Sequence, residues 1–71
     1  MTPERSAQLL AVNERGGWLI REKYLLELIP PTTKVASNQT GIMGTHAAAL
    51  EENDRALAAN EKELAALALD S

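Results

Sequence analysis

The feature that most constrains this chain is its C-terminal run from Ala49 to Leu69. Leu50, Leu57 and Leu64 recur at one phase, and Asn53, Asn60 and Leu67 follow three residues after each. That is a heptad with Leu at a and Asn, Asn, Leu at d, a pattern that leaves one narrow helical stripe to be buried against another helix. Placing Leu at d instead would put Asp54 and Glu61 at a, so the first frame is preferred. Met43 at a and His46 at d extend the seam backwards if the helix begins that early, and Ala49 and Ala56 at g widen it. Glu51 and Arg55 form a well-oriented i, i+4 pair away from the stripe.

With 71 residues the chain is one domain at most, and it is too short to bury a large core alone. It has no cysteine, so no disulfide framework or thiolate metal site is available, and one histidine does not make a zinc site. Oligomerisation is the remaining staple. Aromatic residues are 3% of the chain and Phe is absent, while the apolar content is rich in Ala and Leu, which favour helix. The net charge of −3 argues against a phosphate-backbone partner, which demands a concentrated basic surface. No apolar run approaches the length of a membrane span and no basic-then-apolar leader opens the chain. The expected setting is therefore a reducing cytoplasm, or release by lysis, and the Asn38-Gln39-Thr40 sequon is expected to carry no meaning.

Taken in order, Thr2-Pro3-Glu4 is a helix start: a capping hydroxyl, a residue whose missing N–H costs nothing, and an acid at the positive helix end. Leu9, Val12, Gly16 and Leu19 then share one face. Gly16-Gly17 is the weak point, since each Gly costs about 1 kcal/mol against Ala inside a helix. Either the helix breaks or kinks there, which is the favoured reading, or it runs through and the glycines admit a close neighbour. Trp18 to Ile29 is the most hydrophobic stretch and holds both aromatic residues, and Pro30-Pro31 ends it. Residues 30–44 read as a Pro/Gly/polar linker able to hold a short strand, with Thr45 capping the final helix. The expected architecture is all-α and oligomeric. A helical docking segment spans 1–29, with its helix over Pro3–Ile29; a linker spans 30–44; and a coiled-coil segment spans 45–71, with its helix over Thr45–Leu69.

The competing arrangement is a monomeric hairpin in which the last helix packs on Trp18–Ile29. Against it stands the cost of burying Asn53 and Asn60 among few polar partners, about 1–3 kcal/mol each if unpaired. In a symmetric coil they would meet their own copies and fix the register. Leu50-x-x-Asn53 followed by Leu57-x-x-Asn60 is similar to the repeats of the trimeric stalks of phage tail fibres, tail needles and trimeric autotransporters. Those repeats favour Ile or Val at a, where this chain has Leu, which leaves two or four strands open beside three. The resemblance implies a homo-oligomer, a trimer in those families, and a virion or tail component.

Catalytic chemistry finds no constellation. Gly16-Gly17 lacks the strand before it and the Lys-Ser/Thr after it that a phosphate loop requires. His46 beside Ala47-Ala48-Ala49 reads as a seam or cap histidine in preference to a base paired with Glu51 or Glu52. No cofactor or metal is expected. The chain reads as a non-enzymatic structural or assembly protein. Met43, Leu50, Asn53, Leu57, Asn60, Leu64 and Leu67 are its expected oligomer interface. Trp18, Leu19, Tyr24, Leu25 and Leu26 are its expected docking residues toward a larger protein assembly, with no nucleic acid or membrane partner. The alternative is a small phage or bacterial regulator that inhibits a host protein.

Overall fold

The computed structural model describes residues 2–37 and 40–69. Two helices, α1 (Pro3–Leu28) and α2 (His46–Leu69), lie side by side, and a two-stranded ribbon, β1 (Val35–Ala36) with β2 (Met43–Gly44), forms the connection. The molecule is a rod with extents of 46 × 19 × 14 Å. The predominantly helical character expected from the Ala- and Leu-rich composition is present.

Both helices start where short-range chemistry places them. Thr2 is extended, its hydroxyl accepts from the Arg5 N–H at 3.2 Å, and Pro3 occupies the first turn. Thr45 does the same for α2, accepting from the Ala48 N–H at 3.1 Å. Ile29, before Pro30, leaves the helical region with φ −89° and ψ 154°, and α1 ends. The expected break at Gly16-Gly17 does not occur, since α1 is helical throughout. The other reading of the glycines holds: Gly16 is buried, and a Cβ built on it would lie 2.6 Å from Asn60 Oδ1. Close packing on α2 offsets the propensity cost of the glycine.

The linker is more ordered than a polar spacer. Val35 pairs with Gly44 and Ala36 with Met43 in an antiparallel register. The loop between them closes through the Gly41 N–H on the Ser37 carbonyl at 2.8 Å and the Ser37 N–H on the Ile42 carbonyl at 2.9 Å. Gly41 takes φ +71°, a conformation L side chains rarely adopt. The Ser37 hydroxyl donates to the Glu52 carboxylate at 2.9 Å and ties the ribbon to α2. Met43 therefore lies in β2, outside the helix and exposed, and does not continue the a positions of the seam. The Asn38-Gln39-Thr40 sequon falls on residues 38 and 39, which lie outside the described residues, as do residues 70 and 71 at the end of the coiled-coil segment.

The two helices bury few large apolar side chains between them. Among the described residues only Val12 and Leu26 are buried hydrophobics, and Leu9, Leu19, Leu50, Leu57, Leu64 and Leu67 are half-buried around them. The heptad stripe of α2 thus faces α1 of the same chain.

Candidate functional site: the seam and the outer face of α1

Three polar side chains sit at the centre of the seam. His46, Asn53 and Asn60 are the buried residues of α2, spaced one heptad apart. Asn60 Nδ2 donates to the Val12 carbonyl at 2.9 Å, and Asn53 Nδ2 donates to the Leu19 carbonyl at 2.9 Å. His46 Nε2 lies against the Leu26 carbonyl, which can only accept, so the proton between them is on Nε2. Every heptad step back along α2 is matched by a heptad step forward along α1. The result is a ladder of three side-chain-to-backbone bonds that fixes an antiparallel register. The burial cost expected for the two asparagines is met by backbone carbonyls, which can accept a second bond beside their helical one. Asn53 Oδ1 is buried without a hydrogen-bond partner among the described residues, and this residue alone carries part of that cost.

Ion pairs flank the ladder at the surface: Arg15 with Glu63 at 3.0 Å and Lys23 with Asp54 at 3.9 Å. All four side chains are substantially exposed, and pairs of this kind contribute little to stability. They are consistent with the same antiparallel register.

The residues expected to dock a partner divide into two groups. Leu26 is buried and Leu19 half-buried against α2, so both belong to the hairpin's own core. Trp18, Tyr24 and Leu25 are exposed, at 67%, 68% and 58%. Leu10, Ile20 and Leu28 are exposed on the same helix, whereas among the described residues of α2 the only exposed large hydrophobic is Leu69. The asymmetry follows from sequence. Away from its seam, α2 carries Ala and charged residues, while α1 carries large apolar residues on both its inner and outer sides.

Two concavities border Trp18 on the outer side of α1. A groove of about 540 Å³ is lined by Trp18, Arg21, Glu22, Leu25, Leu26, Ile29, Val35 and Ala36, so the ribbon builds one of its walls. A smaller notch of about 210 Å³ is bounded by Glu14, Gly17, Trp18 and Arg21. Trp18 belongs to both, and the Arg21 guanidinium stacks over its ring at 4.9 Å from the centroid. Nothing lies within 4 Å of a Cβ built on Gly17, so the floor of the notch is open.

Of the residues expected to dock a partner, both aromatic ones are exposed, and Gly17 beside them was not singled out because its signal was merged with that of Gly16. Sequence reasoning assigned the Leu and Asn residues of α2 to contacts between copies, and the single chain brings them onto α1. No described helix is long and apolar enough to cross a membrane. Comparison with protein-family models, with curated proteins and with solved structures returned no match.

Proposed function

We propose that this chain is a non-enzymatic association module, a helical hairpin that presents the outer face of α1 to another protein as part of a larger assembly. The observation that carries this reading is the uneven distribution of large apolar side chains. Six of them are exposed on α1, while among the described residues the only buried hydrophobics are Val12 and Leu26. A hairpin with so small a core is marginal alone, and covering Trp18, Tyr24 and Leu25 would remove further large apolar surface from water. Large aromatic residues in this setting commonly anchor protein interfaces. Copies associating through α1 retain the homo-oligomeric part of the reading while leaving Leu50, Leu57 and Leu64 inside each chain. A place in a phage virion or tail is carried by the Leu-x-x-Asn resemblance alone.

The test compares the wild type with Trp18→Ala by size-exclusion chromatography in extracts of the producing cells, and follows quenching at Trp18 on chain labelled with 5-fluorotryptophan by its ¹⁹F signal. The wild type should elute in a complex larger than its own mass, with Trp18 shielded from a neutral quencher. Trp18→Ala should elute as a small species that keeps its helical circular dichroism. A wild-type chain that elutes small with a freely quenched Trp18 would contradict the reading.

A further inference from the structure

The outer face of α1 is self-complementary. Along it, Leu10, Glu14, Gly17, Trp18, Arg21 and Leu25 are all exposed and fall on one stripe at heptad-compatible spacing. We infer that the first occupant of this face is a second copy of the same chain. Two α1 helices would lie antiparallel about a two-fold axis midway between Gly17 and Trp18. The inference rests on the reading of this face as the docking side and names its partner.

The argument is one of charge and size. In this register Trp18 of one copy lies on Gly17 of the other, where the notch floor is open and no Cβ projects. Glu14 of each copy meets Arg21 of the other, so the two charged residues of the stripe are neutralised twice, once on each side of the axis. Leu25 of each copy meets Leu10 of the other. The bulky residues bordering the stripe, Tyr24 and Leu28, fall opposite Ala11 and Ala7. A two-fold interface requires such reciprocity, each residue meeting a partner that meets it back.

The registers one heptad away fail on the same criteria. Sliding one helix by a heptad in one direction sets Arg21 against Arg21, and sliding it in the other sets Glu14 against Glu14. A parallel pair opposes every charge to its own kind. Like charges directly opposed disfavour a register, so the pattern selects against these three arrangements as well as stabilising its own. In the dimer Arg21 exchanges stacking on its own Trp18 for the carboxylate of the other copy, at a site the indoles shield from water. The product is a four-helix assembly with both α2 helices outermost, each presenting a surface of Ala and charged side chains.

The experiment is sedimentation equilibrium of the purified full-length chain, with circular dichroism on each variant to establish that the hairpin is folded. The wild type should be a dimer. Glu14→Arg alone and Arg21→Glu alone should each weaken it about tenfold or more, because each creates two like-charge contacts. The double variant carrying both changes should recover the wild-type dissociation constant to within about threefold, since the pairs are restored with reversed sign. Gly17→Leu supports α1, where it replaces a poor helix former, and should abolish the dimer by occupying the position of the Trp18 ring. A monomeric wild type would overturn the inference, and so would a dimer indifferent to Gly17→Leu or one that the double charge swap fails to restore. If the purified chain is monomeric but still enters the larger complex in cell extracts, the second copy is excluded while the docking role of α1 stands.

Discussion

Asn60 and Gly16 act as one unit. The asparagine reaches the Val12 carbonyl only because position 16 has no side chain, and the 2.6 Å from a built Cβ to Asn60 Oδ1 leaves no room for one. Gly16→Ala would therefore displace a buried amide. Losing the bond and stranding the amide costs about 1–3 kcal/mol, which outweighs the gain of about 1 kcal/mol from the better helix former. Gly17→Ala meets nothing within 4 Å and should raise the hairpin's stability by about 1 kcal/mol. Urea unfolding of the two variants at a dilution where the wild type is monomeric should give opposite signs, and equal shifts would show that Gly16 is not a packing position. This distinction could not be read from the chain, where adjacent glycines carry one helix-breaking signal. The partners of Asn53 and Asn60 were equally hidden, because a backbone carbonyl has no signature in the sequence. The stripe Leu9, Val12, Gly16 and Leu19, by contrast, was readable from spacing alone, and these residues do face α2.

At the scale of the elements, the ladder His46–Leu26, Asn53–Leu19 and Asn60–Val12 works as a register device. Replacing Asn53 and Asn60 together with Leu removes the Asn53 Oδ1 that has no partner among the described residues and adds buried apolar surface. Melting should rise by several degrees while the register loosens, visible as multiple amide resonances for residues of α1. A single set of sharp resonances with unchanged melting would show that the ladder specifies nothing. Leu57→Asp puts a carboxylate into the seam and should unfold the hairpin, whereas Ala58→Asp on the exposed side should be tolerated; circular dichroism separates them. Helix ends were readable because Thr2-Pro3, Pro30-Pro31 and Thr45 act through their immediate neighbours. The ribbon was not, since two-residue strands have no periodicity to detect. Met43 was added to the seam because it continues the heptad phase, on the condition that the helix began that early; α2 starts after the Thr45 cap and Met43 pairs with Ala36 in the ribbon.

For the whole molecule, a rod whose only buried hydrophobics among the described residues are Val12 and Leu26, and whose outer helix is apolar, is expected to gain stability on association. The melting temperature of the wild type should climb with protein concentration, and that of Trp18→Ala should be lower and independent of it. A concentration-independent wild type would separate folding from assembly. The deepest claim is that the Leu and Asn heptads are satisfied within one chain and that α1 alone meets the neighbour. An isotope-filtered nuclear Overhauser experiment on an equal mixture of ¹⁵N-labelled and ¹³C-labelled chains tests it most directly. The amide protons of Asn60 and Asn53 should contact Val12 and Leu19 of their own chain only, and contacts between chains should centre on Trp18 and Gly17. Contacts between chains from Asn53 to Asn53 or from Asn60 to Asn60 would place the heptads on a shared symmetry axis and contradict the account.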